Sequence, residues 1–380
     1  MHLSDLHLGK SILEQSLIED QKYILDKIVD IIVEKDIDVV LIAGDIYDKS
    51  VPSSEAVRLF SSFLSKMYRL EVKIFVISGN HDSKDRLSFG NELFVDNGVY
   101  IEGIFSGKLA NIKLDDAYGE VFIYMLPFVK PVDVRGYYPN EEISSYHDAI
   151  ATIINNTDID SSKRNIIMVH QFVTANGIEV ERSDSETISL GGVDNIDVSL
   201  FDKFDYVALG HIHRGQQLIR ETVRYSGSPL KYSFSEVYHK KSVPIIEIKE
   251  KGNINIEFID LVPIRDMRII KGRISDLLSA DVVNMGNVDD YISAIITDDD
   301  YIMDAIGKLR VIYKNILKLD YHNNRTLGVN VDNFDNLDVQ KLSEIELFSN
   351  FYMMQNNIPM DDKREEIVNK VIKECLEEEL

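Results

Sequence analysis

Apolar residues in the first 260 positions follow two different spacings. Between residues 20 and 34 they recur every three or four positions, which predicts an amphipathic helix. A second helix is predicted after Ser53 or Ser54, either of which can cap it, because Val57 and Phe60 begin another apolar face. Short, mainly apolar runs elsewhere predict buried strands, at residues 38–43, 72–77, 166–169 and 206–209. Strands that alternate with helices indicate an α/β fold with a layered sandwich of sheets and helices.

The pattern changes after Gly215 and again at Val262-Pro263, which we take as a domain boundary. Strand patterns dominate up to that point. Beyond it, three strand patterns (267–272, 291–297 and 315–319) and one helix pattern (302–311) predict a small α+β domain. We therefore expect four parts: a large domain at residues 1–262, the small domain at 263–322, a polar linker at 323–338 and a helical segment at 339–380.

The composition of the chain indicates in which compartment the protein works. No apolar run approaches the roughly 18 residues that span a membrane, and the first residues lack the succession typical of a secretory signal. Cys375 is the single cysteine, so the chain forms no internal disulfide and has no Cys-x-x-Cys zinc motif. These facts favour a reducing, cytoplasmic location and no membrane partner.

The net charge of -23 argues against a simple nucleic-acid-binding protein, because proteins that grip DNA through its phosphates usually carry a basic face. Charge alone indicates a small-molecule or protein substrate. A DNA function would have to use metal ions, a partner or a local basic patch. Candidates for that patch stand beside the blocks described next: Lys10, Lys84, Arg86, Arg214 and Lys231.

Five short polar blocks follow predicted strands or extended segments, where ligands bind in open α/β sheets. They are Asp5-Leu6-His7, Gly44-Asp45-Ile46-Tyr47-Asp48, Gly79-Asn80-His81-Asp82, His170 and Gly210-His211-Ile212-His213. Each block alone has a bland interpretation, such as a turn aspartate that caps the next helix. Together they hold five of the nine histidines. Mixed oxygen and nitrogen donors without thiolates suit a pair of Mn²⁺, Fe or Zn²⁺ ions, and such a pair can drive direct hydrolysis of a phosphoester.

The order and position of the blocks resemble the calcineurin-like metallophosphoesterase superfamily, and within it the bacterial SbcD nuclease subunits. The resemblance covers the whole chain. Asp48-Lys49-Ser50 and Asp82 stand where the protein phosphatases have Arg-Gly and Glu. Further resemblance lies in His170-Gln171-Phe172, in Tyr225-Ser226-Gly227-Ser228-Pro229 and in the length beyond residue 260.

The resemblance implies a role for each block. Asp5, His7, Asp45 and His213 would hold one metal ion, and Asp45, Asn80, His170 and His211 the other, with Mn²⁺ the expected metal at both. His81 would be the catalytic acid that protonates the leaving 3′-oxygen, a role that imidazole suits. Asp48 stands where archaeal relatives have a second active-site histidine, so at most we expect it to orient His81.

The resemblance also implies partners. Residues 263–322 resemble the capping domain that positions DNA. Residues 345–352 and the last helix resemble the segment that binds an SbcC-type coiled-coil ATPase. The expected assembly is a homodimer within a heterotetramer that acts in DNA repair, recombination and replication as a 3′–5′ double-strand exonuclease and single-strand endonuclease.

Two other functions compete with this one. A phosphodiesterase for cyclic nucleotides or other small phosphoesters explains the acidic charge and the blocks, but not the last 120 residues. A metal-stabilised scaffold for an ATPase has no need of His81. One departure concerns the start: only Met1-His2-Leu3 precede Ser4, where relatives have a longer first strand, so we expect a misassigned start and weaker placement of Asp5 and His7.

Overall fold

The structure is a computed structural model that describes residues 1–175, 178, 180–186, 194–322, 343–356 and 359–378. It divides the chain into two compact units, Met1–Asp266 and Met267–Leu380. The predicted linker at 323–338 lies outside the described residues, and the domain boundaries given above stay predictions.

The elements are numbered along the chain. The strands are β1 His2–Leu3, β2 Ser11–Ile12, β3 Gln15–Ser16, β4 Val39–Ala43, β5 Lys73–Ile77, β6 Val99–Glu102, β7 Ala110–Asp116, β8 Gly119–Leu126, β9 Arg164–His170, β10 Val173–Thr174, β11 Ile196–Asp197, β12 Tyr206–Gly210, β13 Gln216–Gln217, β14 Val223–Tyr225, β15 Ser242–Ile248, β16 Ile254–Asp260, β17 Met267–Gly272, β18 Tyr291–Ile296 and β19 Ile316–Tyr321. The helices are α1 Ile18–Glu34, α2 Ser54–Arg69, α3 Lys84–Leu87, α4 Asn91–Phe94, α5 Pro131–Arg135, α6 Tyr146–Asn155, α7 Ile274–Leu277, α8 Ala280–Val283, α9 Ala305–Arg310, α10 Glu344–Asn356 and α11 Asp362–Glu378.

Two large sheets form the framework of the first unit, which also has three two-stranded sheets, β2-β3, β10-β11 and β15-β16, among its described residues. One large sheet has the order β1-β4-β5-β6 and is parallel throughout. The other has the order β13-β14-β12-β9-β8-β7, with parallel pairing from β14 to β8 and antiparallel edges. Parallel pairing aligns the carboxyl ends of β1, β4 and β5 at one edge of the first sheet, and those of β9 and β12 at one edge of the second.

The core lies between the sheets and follows the period of two of a strand. Leu41 and Phe75 of the first sheet pack with Ile123, Met168 and Ala208 of the second. The alternate residues of the second sheet face the other way, into a separate cluster with α6. The chain is therefore a layered α/β sandwich, which confirms the predicted fold class.

Local signals explain the two long helices of this unit. α1 begins with Glu19 and Asp20 in its first turn, where acidic side chains favour the helix dipole, and a left-handed Asp36 follows its end. α2 begins at the cap Ser53, whose hydroxyl accepts a hydrogen bond from the backbone N–H of Ala56 at 3.2 Å. The capping residue predicted from the sequence is thus confirmed.

The second unit contains a three-stranded parallel sheet in the order β17-β18-β19. Its core gathers Ile270, Ile292, Ala294, Leu309 and Ile316. The unit also contains α10 and α11, which contact each other. Among the residues that the structure describes, no helix is both long and apolar enough to cross a bilayer.

Candidate metal centre

The carboxyl ends of five strands bring the five sequence blocks together. Asp5 and His7 follow β1, Asp45 follows β4, and Asn80 and His81 follow β5. His170 ends β9, and the two histidines of the last block follow β12. Hydrogen bonds from the Asp5 N–H to Gly44 O and from the His7 N–H to Asp45 O, both 3.0 Å, continue the β1–β4 pairing into the site. The short β1 thus extends into a paired loop that holds both side chains in place.

The backbone of the site adopts conformations that non-glycine residues rarely take. Asp5, His7, Asp45 and His211 all have positive φ, between 43° and 94°. Such conformations cost on the order of 1–3 kcal/mol each and persist where the surroundings fix them. Four candidate ligands have such a conformation, which indicates that tertiary contacts hold the backbone of the site in conformations that it does not prefer locally.

Two glycines are needed because other groups of the site come too close. A Cβ on Gly44, which has a φ of +87°, would lie 2.3 Å from His170 Nδ1. A Cβ on Gly210 would lie 1.9 Å from the carbonyl oxygen of Ala43. Glycine therefore lets the ends of the two sheets meet at the site.

The first group of donor atoms surrounds His7. His7 Nε2 lies 3.0 Å from His213 Nε2 and 3.6 Å from Asp45 Oδ2. One donor atom of Asp5 falls within 4.8 Å of donors of both histidines. All four side chains are buried.

The second group surrounds His170. Its Nε2 lies 3.1 Å from Asn80 Oδ1 and 3.3 Å from Asp45 Oδ2. His211 Nδ1 lies 3.0 Å from the same Asn80 oxygen. His170 Nδ1 donates a hydrogen bond to the carbonyl oxygen of Ala43 at 2.7 Å, which turns Nε2 toward the other donors. Asp45 Oδ2 lies beside the central histidine of each group, and Asp5 also has donor atoms near both groups.

These spacings suit metal ions. Two donors at about 2.1 Å from one ion lie about 3.0–3.4 Å apart at octahedral or tetrahedral angles, close to the spacings of both groups. The donors are carboxylate, amide and imidazole atoms, and they are predominantly lone-pair acceptors that face one another. The residues present therefore fit divalent metal ions.

Electrostatics also favours cations here. Burial raises the pKa of Asp45, but the neighbouring His170 outweighs this and holds it well below its usual range. Burial lowers the pKa of His170, but the Asp45 carboxylate outweighs that effect and raises it to about 9. Burial raises the pKa of Asp5 and lowers that of His211 to about 3. In the metal-free chain, a proton on His170 thus supplies part of the positive charge that Asp45 needs.

His81 lies at the edge of the centre and is only half-buried. Its ring stands 4.9 Å from that of His7, centroid to centroid. Its Nδ1 donates to the backbone carbonyl of Asp48 at 3.0 Å, so residue 48 orients His81 through its backbone. The Asp48 carboxylate instead pairs with Lys10 at 2.8 Å and lies 3.7 Å from His7 Nδ1.

Asp82 connects two of the ligand loops, a role that sequence reasoning missed. Its buried carboxylate accepts hydrogen bonds from the backbone N–H groups of Gly79 (2.9 Å), Ile46 (3.1 Å) and Tyr47 (2.9 Å). Burial and the charge of Asp45 raise its pKa to about 6. Asp82 lies inside a recognised block, so the carboxylate at the fourth position of that tetrad was the available signal.

Further missed residues lie behind His213: Ser185, Glu186, Glu236 and Lys241. The hydroxyl of Ser185 is 2.7 Å from His213 Nδ1, and Glu236 is fully buried beside it. Ser185 and Glu236 stand about 50 positions apart along the chain, and no spacing in the sequence connects them.

Four of the five basic residues predicted to contact DNA already have acidic partners. Lys10 pairs with Asp48 at 2.8 Å and Lys84 with Asp133 at 2.5 Å. The remaining two pairs are Arg214 with Glu181 and Lys231 with Asp266. Arg86 is exposed and has no carboxylate partner among the described residues.

Comparison with known proteins now gives the class. Residues 1–215 match the family model described as Calcineurin-like phosphoesterase. Residues 263–356 match the model described as Type 5 capsule protein repressor C-terminal domain. The chain is therefore a calcineurin-like phosphoesterase, a hydrolase whose class uses divalent metal ions.

A curated relative shows to which branch of the calcineurin-like phosphoesterases the chain belongs. The chain is 33% identical over 356 residues to the SbcD subunit of the nuclease SbcCD of Staphylococcus epidermidis, and the match covers 93% of this chain and 92% of the relative. The chain belongs to the SbcD-type branch of the calcineurin-like phosphoesterases. A crystal structure of a dimetal phosphatase from Danio rerio is 12% identical and covers 68% of this chain and 95% of its own, with a TM-score of 0.39.

Proposed function

We propose that this chain is the metal-dependent nuclease subunit of a DNA-end-processing complex, and that it hydrolyses DNA phosphodiesters as a 3′–5′ double-strand exonuclease and single-strand endonuclease. The observation that carries the proposal is the convergence of two donor groups on Asp45. The relative's name, which describes a nuclease, supports the choice of DNA.

The proposed ligand sets follow the two donor groups. Asp5, His7, Asp45 and His213 would hold one ion. Asp45 would share its carboxylate with a second ion held by the set Asn80, His170 and His211. Mn²⁺ is the proposed metal at both positions, because borderline ions accept imidazole and carboxylate donors together. When bound, such ions supply Lewis acidity to the phosphoryl group and activate water for attack.

His81 is the proposed catalytic acid. Attack of water on phosphorus breaks the bond to the 3′-oxygen, which must gain a proton as it leaves. Because Nδ1 of His81 is taken by the carbonyl of Asp48, Nε2 is the atom available to supply that proton. The half-exposed position of the ring leaves room for a substrate beside it.

A nuclease assay tests this proposal. The purified chain with Mn²⁺ should shorten linear duplex DNA from its 3′ ends and should also hydrolyse bis-nitrophenyl phosphate. Asp45→Asn is the matched control, because it keeps the shape of the side chain and removes the shared charge. Hydrolysis of the small diester without any cleavage of DNA, with or without the partner ATPase, would point instead to a phosphodiesterase for small phosphoesters.

DNA contacts are proposed at Lys10, Lys84, Arg86, Arg214 and Lys231. The acidic partners of four of them compete with phosphate, so Arg86 should contribute most within this chain. Reversal of its charge in Arg86→Glu should weaken DNA binding and flatten its salt dependence. Arg58→Glu on α2 serves as a control that makes the same change in total charge. An unchanged salt slope for Arg86→Glu would assign DNA binding to the partner.

The proposed partner is an SbcC-type coiled-coil ATPase, which binds α10 and α11. These helices expose large apolar side chains, among them Phe348, Phe351, Ile367 and Val371. Exposed apolar residues at helical spacing are typical of helix-in-groove recognition. The relative's name, which refers to a two-subunit complex, supports this choice.

Two variants test the partner assignment. Deletion of residues 339–380 should leave a folded phosphoesterase that hydrolyses a small diester but no longer copurifies with the ATPase. Phe351→Asp should weaken that association, whereas Ser349→Asp adds the same charge to the same helix and should not. If the truncated chain is insoluble or loses its metal ions, the helices belong to the core and the partner assignment is wrong.

We further propose that two copies form a homodimer within a heterotetramer with the ATPase. Helix α2, helix α4 and the residues just before α4 expose Val57, Phe89, Leu93 and Phe94. Val57, Phe89 and Phe94 line one surface pocket. Exposed apolar residues that lie together are typical of protein interfaces. Phe89→Asp should yield a monomer in analytical ultracentrifugation. Tyr238→Asp is the matched control, since Tyr238 is 89% exposed and Phe89 is 86% exposed. A dimer that persists in Phe89→Asp would exclude this face.

A further inference from the structure

The backbone N–H, the carbonyl oxygen and Nδ1 of His213 all have polar partners behind the proposed metal site. Its backbone N–H donates to Glu186 Oε1 at 2.8 Å, and its carbonyl oxygen accepts from Lys241 Nζ at 2.8 Å. Its Nδ1 lies 2.7 Å from the hydroxyl oxygen of Ser185. The second ring nitrogen, Nε2, lies 3.0 Å from His7 Nε2, inside the proposed metal site.

A buried ion pair lies behind Ser185. The Ser185 hydroxyl is 2.6 Å from Glu236 Oε1, and Lys241 Nζ is 2.6 Å from Glu236 Oε2. The side chains of Glu236 and Lys241 are both buried, and an ammonium and a carboxylate at this distance form a charge-assisted hydrogen bond. Glu236 is therefore ionised and can only accept hydrogen bonds.

The direction of each hydrogen bond follows from this charge. A serine hydroxyl has one hydrogen, and the shortest contact of Ser185 is to the ionised Glu236. Ser183 Oγ is farther away, at 2.9 Å, and has its own acceptor in Glu186 at 3.0 Å. With its hydrogen donated to Glu236, the Ser185 oxygen must accept from His213, so the His213 proton sits on Nδ1.

We propose that Ser185 and Glu236 are positioning residues that fix the proton of His213 on Nδ1 and keep Nε2 free to bind a metal ion. Lys241 anchors this relay, because it binds both Glu236 and the backbone carbonyl of His213. The inference rests on the proposed metal site and deepens it. Outer partners of metal-ligating histidines set their tautomer and orientation, and their loss typically lowers metal affinity about 10–100-fold.

Calorimetric titration of Mn²⁺ into the metal-free chain gives the first test. Ser185→Ala should lower the affinity for one of the two ions about 10–100-fold and leave the other, which His170 and Asn80 hold, unchanged. Ser185→Thr keeps the hydroxyl and should restore the affinity. Ser233→Ala removes a half-exposed hydroxyl from the same region, which is hydrogen-bonded to Ser235, and should change neither affinity. Unchanged binding in Ser185→Ala, or an equal loss at both sites, would overturn the proposal.

The tautomer provides a second test, which is measured on the parent chain itself. Nitrogen NMR of the metal-free chain with ¹⁵N-labelled histidine should show His213 protonated on Nδ1, with His213→Gln used for assignment. A proton on Nε2 would contradict the relay. Cleavage of DNA decides the proposed function separately. A parent that binds two ions but cleaves no DNA refutes the nuclease, while intact cleavage with unaltered binding in Ser185→Ala refutes the relay alone.

Discussion

Asp82 offers a sharp test of how the ligand loops are held, because one buried carboxylate supports three backbone N–H groups. Asp82→Ala removes the acceptor of Gly79, Ile46 and Tyr47 together. Each buried N–H left without a partner costs about 1–3 kcal/mol. The change also removes a buried negative charge that destabilises the folded state, since burial raises the pKa of Asp82 from 3.8 to about 6.

The two effects have opposite signs, and their sizes decide the outcome. At neutral pH, the ionised Asp82 costs the folded state about 3 kcal/mol, from the difference between its folded and unfolded pKa. Three lost hydrogen bonds outweigh that cost, so Asp82→Ala should lower the free energy of unfolding by about 3 kcal/mol. Asp82→Asn keeps an oxygen for two of the three N–H groups and drops the charge, so its stability should stay within about 1 kcal/mol of the parent.

Urea unfolding of the metal-free chain, in chelator, measures both variants. Because the folded pKa of Asp82 is raised, the parent should gain stability relative to Asp82→Asn as the pH falls through about 6 toward 4. Equal stabilities for the Ala and Asn variants at neutral pH would show that the three N–H groups do not depend on Asp82. A pH-independent difference between parent and Asn variant would refute the raised pKa.

Three further predictions concern the metal centre. His81→Ala should retain both ions but slow DNA cleavage by about 10²–10⁴-fold, and the defect should shrink on a nitrophenyl ester, whose leaving group needs no proton; an equal defect on both substrates would contradict the acid role. Asp45→Ala should lose affinity for both ions, whereas excess Mn²⁺ should partly restore the activity of His7→Ala. If Asp45→Ala binds metal ions as tightly as the parent, the two ions do not share the Asp45 carboxylate. Because Asp45 raises the pKa of His170 to about 9, metal binding should release a proton from His170, and metal affinity should weaken as the pH falls below 9. Calorimetry in buffers of different protonation enthalpy should detect the released proton, and a metal affinity that does not depend on pH would refute this prediction.

The fold class and the neighbourhood of the candidate metal centre could be predicted from the sequence because one geometric rule links them. Ligands that follow parallel strands meet at the same sheet edge, so the blocks at Asp45, Asn80 and His211 indicated both the layered fold and the site. No element was predicted between residues 99 and 155, where the structure has β6, β7, β8, α5 and α6. α5 has only five residues, too few to show a helical period, whereas the capping box of Ser145 and Asp148 at the start of α6 was a usable signal.

The groups that orient the ligands could not be predicted in the same way. Ser185 and Glu236 stand 51 positions apart and meet only because the fold brings their loops behind His213. The acidic partners of Lys10 and Lys84 likewise come from other parts of the chain, so a basic residue beside a block says little about its freedom to bind phosphate. Such contacts depend on tertiary structure rather than on local spacing.

The central claim is that hydrolysis requires two metal ions that share Asp45. Its most direct test is a stoichiometric titration of Mn²⁺ into the metal-free chain while hydrolysis of bis-nitrophenyl phosphate is followed. The structure predicts two tightly bound ions per chain, with activity that appears only as the second equivalent binds. Full activity after one equivalent, or no activity after both sites are filled, would contradict the two-metal account.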